Sequence, residues 1–175
     1  RNGLYRVHEQ PDPEKVSEFC TFAKTQDLHI TEMDMRPKWF ADIVEQCKGT
    51  KTEYIINNLL LRTMKQAHYS PQNSGHFGLA SSHYTHFTSP IRRYSDLVVH
   101  RIFARHLVPG GARFHKKQYT NSDLTAVAQH LSLTEQNSTE AERESVKIKL
   151  LEFFERELSK PKRSRFEAII MDVRN

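Results

Sequence analysis

Proline and glycine divide the first part of this chain into three blocks whose apolar residues recur at helical spacing. That punctuation constrains the fold to a helix-dominated one. Asp12 precedes Pro13, a capping side chain followed by proline at the first helical position, and Val16, Phe19, Cys20 and Ala23 then share one face. A second block starts at Pro37 and directs Trp39, Phe40, Ile43, Val44 and Cys47 inward, with Gly49 beyond its end. A third runs from about Thr52 to Ala67 on a stripe of Ile55, Ile56, Leu59, Leu60 and Met64. Ahead of them Leu4 to His8 alternates like a short strand. The fold class expected is α+β, predominantly α-helical.

Beyond Ser70 the pattern changes. Pro71 to Gly75 has loop composition, and His76 to Phe87 has no helical period but is crowded with histidine and aromatic residues. Ser89-Pro90 reads as the start of a helix reaching about His106, with Ile91, Val98 and Ile102 on its apolar face, joined by Leu97. Pro109-Gly110-Gly111 breaks it. A long helical stretch then runs from Asn121 or Ser122 to Leu158, with an irregularity expected near Thr134. Lys160 to Arg165 is a basic linker, and Phe166 to Val173 reads as a strand.

Composition narrows the function classes. No apolar run approaches the ~18 residues of a membrane span, and the residues at the start do not resemble a signal peptide. The 26 Lys and Arg residues exceed the 21 Asp and Glu residues, a net charge of +5 that mildly favours an anionic partner such as nucleic acid. Cys20 and Cys47 fit neither a zinc pattern nor a disulfide framework, so a reducing, cytoplasmic setting is expected. The ten histidines include no zinc-hydrolase arrangement, and Ser81, Ser82 and Ser89 lack a nucleophile elbow.

Thr88 to Tyr94 carries the strongest chemical signal. A capped, proline-started helix offers free N–H groups and a positive dipole end, which suit phosphate. Arg92 and Arg93 add fixed charge and bidentate donors there, while Tyr84, Phe87 and Tyr94 offer rings for base stacking. The competing explanation is that the arginines pair with helix-surface carboxylates. Asp96 is the only such carboxylate within reach on this helix, so pairing accounts for one arginine at most. The basic runs Phe114 to Lys117 and Lys160 to Arg165 are either solvated loops or contacts to a nucleic-acid backbone.

The runs His76-Phe77-Gly78-Leu79-Ala80 and Tyr84 to Tyr94, followed by Asp96-Leu97 and His100-Arg101, resemble the RNB catalytic domain of the ribonuclease R and ribonuclease II family. Leu4 to Glu9, Pro11 to Lys15 and Ala141-Glu142-Arg143 are similar as well. The resemblance covers about residues 1–163. Residues 164–175 look like the start of the OB-fold RNA-binding module that follows in this family.

The resemblance implies processive hydrolysis of single-stranded RNA from its 3′ end to nucleoside 5′-monophosphates, with magnesium held by aspartates. It assigns the phosphate-holding catalytic arginine to Arg92. It also implies an influence on RNA hold and release at Glu142; RNA contacts at Arg93, Tyr84, Ser89 and Thr88 are expected from the chemistry of the segment itself. For Glu142 a helix-surface ion pair is the alternative.

The family's clustered metal-binding aspartates have no counterpart here. Asp12, Asp27, Asp34, Asp42, Asp96, Asp123 and Asp172 are scattered, and Glu32 with Asp34 is the closest acidic pair in the amino-terminal half. The family's catalytic tyrosine lies in the same missing part. The expectation is therefore a carboxyl-terminal part of the RNB domain, with no metal ligands and inactive when isolated. The alternative is a module that binds single-stranded RNA without cleaving it. No sequence feature bears on oligomeric state.

Overall fold

Asp12 behaves as its position next to Pro13 predicts. In the computed structural model, which describes residues 3–26, 28–30, 32–162 and 164–168, its Oδ1 accepts a 3.0 Å hydrogen bond from the Glu14 N–H and opens α1, Pro13–Lys24. Pro37 likewise occupies the first turn of α2, Pro37–Cys47, and α3 spans Glu53–Thr63. The apolar stripes of these helices meet in one core, where Val16, Ala23, Cys47 and Ile56 are wholly buried among Phe19, Trp39, Phe40 and Leu60.

One expected inward position and one helix end differ. Val44 stays 42% exposed on the outer side of α2. The third helix ends at Thr63 rather than Ala67, because Met64 turns to extended backbone (ψ 143°) and the chain enters a strand that periodicity does not reveal. That strand, β2 (His68–Ser70), pairs antiparallel with β1 (Tyr5–Val7) in the register Tyr5–Ser70, Arg6–Tyr69, Val7–His68. The loop after β2 is tied to the same strand: the Arg6 N–H donates to the Tyr84 carbonyl (2.9 Å) and the His8 N–H to the Gly75 carbonyl (3.1 Å).

The next helix, α4, spans Tyr94–Leu107. The expected start at Ser89-Pro90 is corrected: residues 90–92 form a turn ahead of it, Arg93 occupies the cap position, and Ile91 points fully into solvent. A four-residue α5, Gly111–Phe114, follows, and Gly111 is required there because a Cβ would lie 1.8 Å from the Ala104 carbonyl oxygen. Val98 of α4, Leu124 and Ala128 of α6 (Asn121–Leu158), Leu4, Tyr69 and Tyr119 form a second core. Helix α6 is continuous through Thr134, without the expected irregularity.

The chain divides into two units, one ending at Leu131 and one starting at Ser132. In the second, Phe166 packs edge-on against Phe153 and Phe154 at 5.9 and 5.4 Å, and Ser164 and Lys160 bond the Glu157 carboxylate. Phe166, Glu167 and Ala168 are not in a strand; the rest of the strand expected up to Val173 lies outside the described residues. No helix among the described residues is long and apolar enough to cross a membrane.

Candidate nucleic-acid interface

The residues expected to hold phosphate lie on the turn between the histidine-rich loop and α4. This turn has two hydrogen bonds of its own, from the Arg92 and Arg93 N–H groups to the Ser89 carbonyl at 3.3 and 3.0 Å. A third element holds it. Asp96, in the first turn of α4 and 0% exposed, reaches back with Oδ1 to the Ser89 N–H at 2.8 Å. The same carboxylate accepts from Arg93 Nη2 and Nε, both at 2.9 Å, and from the Ser95 hydroxyl at 2.9 Å.

Burial alone raises the Asp96 pKa, but the donors from Arg93, Ser89 and Ser95 outweigh it and leave the group below its ordinary value. An anion three residues into a helix also meets the positive end of the helix dipole. Asp96 is therefore a carboxylate at neutral pH, with its lone pairs filled.

The two neighbouring arginines thus have different fates. Arg93 commits two of its donors to Asp96, and its side chain is 26% exposed. Arg92 is exposed and makes no side-chain hydrogen bond or ion pair among the described residues. A guanidinium next to a fixed turn, with five unused donors, is suited to grip a phosphate. The N-terminal side-chain cap expected from Ser89 is absent; Ser89 contributes its backbone N–H instead. Thr88 is exposed beside it.

Behind the turn lies a histidine–tyrosine cluster. The Ser95 hydroxyl is 3.2 Å from the Tyr69 hydroxyl, which is 2.8 Å from His86 Nδ1. The Tyr84 ring meets His76 and His86 edge-on at 5.1 and 5.7 Å, so it is a half-buried member of the cluster rather than an open stacking platform. Phe87, 41% exposed, stacks on His100 at 4.1 Å, and Tyr94 is 48% exposed beneath the Arg101 guanidinium.

His8 accepts from the Gly78 N–H at Nδ1 (2.9 Å), so its Nε2 carries the proton and donates to the Lys65 carbonyl at 2.7 Å. Burial, with His8 and Arg6 close by, lowers the pKa of His76 from its usual value and leaves it neutral at neutral pH.

Glu142 lies on α6 in the second unit, is exposed, and forms no ion pair among the described residues, so the helix-surface pairing is not what the structure contains. The described aspartates do not suit a divalent metal site. Asp34 is bonded to Arg36, Asp42 to Lys38, Asp12 and Asp123 to backbone N–H groups, and Asp96 is filled. Among the described residues no three His, Cys, Asp or Glu side chains converge on a point where a metal would sit.

Tyr69, Ser95 and Asp96, which connect the turn to β2, were not expected as a site. Only the Arg93–Asp96 spacing of three residues signals any part of it.

Residues 1–109 match the model of the RNB domain. The chain belongs to the RNB family. Ribonuclease R 1 of Lactococcus lactis is 39% identical over 172 residues, which cover 97% of this chain and 20% of that protein. Mycoplasma genitalium RNase R in complex with ribose-methylated single-stranded RNA superposes with a TM-score of 0.70 at 31% identity, over 82% of this chain and 23% of that one. Yeast Ssd1, described as a pseudonuclease, matches with a TM-score of 0.59 at 27% identity, over 74% of this chain and 16% of its own. The RNB chain described here thus spans about a fifth of the length of the curated relative it matches.

Proposed function

We propose that this chain is the carboxyl-terminal part of the catalytic domain of a 3′-to-5′ exoribonuclease, at residues 1–163, followed at 164–175 by the start of an OB-fold RNA-binding module. The substrate class is single-stranded RNA, released as nucleoside 5′-monophosphates. In this reading Arg92 holds the scissile phosphate. Its guanidinium binds the non-bridging oxygens, on which negative charge grows as water adds to phosphorus and the bond to the 3′ oxygen breaks.

Thr88, the remaining donors of Arg93 and Tyr84 border the RNA strand. Ser89 supports the turn, and Glu142 acts on RNA hold and release. Magnesium belongs to aspartates elsewhere in the longer protein, since those described here are already engaged. A reducing cytoplasmic setting accords with Cys20 and Cys47, both buried as free thiols.

One observation carries the proposal: of two adjacent arginines, one is spent on a buried carboxylate and the other is left open on the adjoining turn. In the full-length protein, Arg92→Ala lowers kcat by orders of magnitude and changes RNA affinity far less. Equal loss of both would reduce Arg92 to a binding role. A second reading, a module that holds RNA without cleaving it, is favoured by the likeness to a pseudonuclease. Release of 5′-mononucleotides by the full-length protein rules it out. Magnesium-dependent release by the 175-residue chain alone would overturn the placement of the metal site outside it.

A further inference from the structure

We propose that Asp96 is the positioning residue of the Arg92 turn: its buried carboxylate ties Ser89 on the entering side to Arg93 on the leaving side and so fixes where Arg92 projects. The inference rests on the reading of Arg92 as the phosphate holder.

The turn has little else to hold it. Both of its internal hydrogen bonds end on one atom, the Ser89 carbonyl oxygen, and the longer is 3.3 Å. Ile91 at its tip is fully exposed, so no apolar contact anchors it there. Pro90 restricts one φ but supplies no donor.

Asp96 supplies the missing constraint at both ends. Oδ1 takes the Ser89 N–H and Arg93 Nη2; Oδ2 takes Arg93 Nε and the Ser95 hydroxyl. Those four donors match the four lone-pair sites of a carboxylate. The Ser95 hydroxyl continues the connection to Tyr69 on β2, and Tyr69 to His86 at the approach to the turn. The network thereby joins the turn to the strand pair and to the second core. Arg93 fills one edge of the carboxylate with its planar fork, a contact that a lysine at this position could not reproduce.

The test uses the full-length protein with single-stranded RNA. Asp96→Asn keeps the shape, but it turns one acceptor into a donor facing N–H groups. Phosphate placement is geometry-sensitive, so kcat falls about a hundredfold while KM changes much less. Ser95→Ala removes one of the four donors, gives a smaller fall in kcat, and keeps the test readable where Asp96→Asn does not fold. In both variants hydrogen exchange quickens in peptides covering residues 88–95 and is unchanged across α1–α3.

The decisive outcome is coupling. In an Arg92→Ala background, Asp96→Asn or Ser95→Ala lowers kcat no further, because the group being positioned is gone. A folded Asp96→Asn or Ser95→Ala variant with unaltered kcat overturns the proposal, as does a penalty that multiplies in full with that of Arg92→Ala. If Arg92→Ala itself leaves turnover intact, the phosphate-holder reading fails and takes this one with it. A crippled Arg92→Ala beside unaffected Asp96→Asn and Ser95→Ala defeats the positioning role alone.

Discussion

Replacing Arg93 by alanine tests the division of labour between the two arginines through stability rather than turnover. Arg93 supplies two of the four hydrogen bonds that reach the Asp96 carboxylate, which is 0% exposed. Hydrogen bonds to charged groups contribute roughly 1.5–3 kcal/mol each. Breaking a buried pair by removing one partner costs about 3–5 kcal/mol, because the remaining charge is left without compensation. The Arg93 side chain is 26% exposed, so water enters once it is truncated, and the loss falls at the lower end, about 3 kcal/mol.

For a chain of this size that corresponds to a fall in Tm of roughly 6–12 °C. Arg92→Ala, which removes no internal contact, leaves Tm unchanged. A pH dependence adds a second signature. In the native protein Asp96 titrates below its ordinary value, so its stabilisation is full above the unfolded pKa and is lost as pH falls through the lower folded one. In Arg93→Ala burial dominates and raises that pKa, so protonation relieves the defect and the gap to wild type narrows from pH 7 towards pH 4. Thermal unfolding followed by circular dichroism at the two pH values measures both effects. Equal Tm for the two alanine variants, or a gap independent of pH, would refute the reasoning.

Ile56 is wholly buried in the core shared by α1, α2 and α3, and Ile56→Ala should cost about 2–5 kcal/mol in urea unfolding. A loss below ~1 kcal/mol would show that the core collapses around the vacancy. Gly78→Ala places a Cβ 2.9 Å from His8 Nδ1, on the atom that accepts the Gly78 N–H, and should cost about 1–3 kcal/mol. The same method with Gly49→Ala is a poor control, since Gly49 has a φ of +75°, where an alanine would be strained although nothing crowds its Cβ. His76 faces His8, Arg6 and Tyr84 and has a pKa below its usual 6.5. Its contribution is therefore full above pH 6.5 and is lost as pH falls towards the lower folded value. His76→Phe flattens that part of a Tm-against-pH profile, and an unchanged slope would show that other groups cause it.

Much of the scaffold was legible because it depends on near neighbours. Asp12 caps Pro13 across a few atoms, and the buried faces of α1, α2 and α3 follow a 3.6-residue period that local sequence carries. The motif run from His76 to Arg101 was also legible as a family signature, and residues 1–109 match that family's domain model. Strand β2 was not, since three residues have no readable period and become a strand only by pairing with β1, more than sixty positions earlier. Ser89-Pro90 carries genuine helix-start chemistry, yet α4 begins at Tyr94. Asp96 captures the Ser89 N–H from seven residues away and pins the intervening chain as a turn.

The same distinction separates the two arginines. Arg92 and Arg93 are identical in type and adjacent in sequence, so composition and spacing establish only that at most one of them can pair with Asp96. Which one depends on the direction in which each side chain leaves a folded turn, and that direction is set by a buried carboxylate, a strand hydroxyl and a histidine brought together from distant parts of the chain. Local residue chemistry determined that a cation-bearing loop would be present, whereas long-range hydrogen bonding decided which guanidinium faces the solvent.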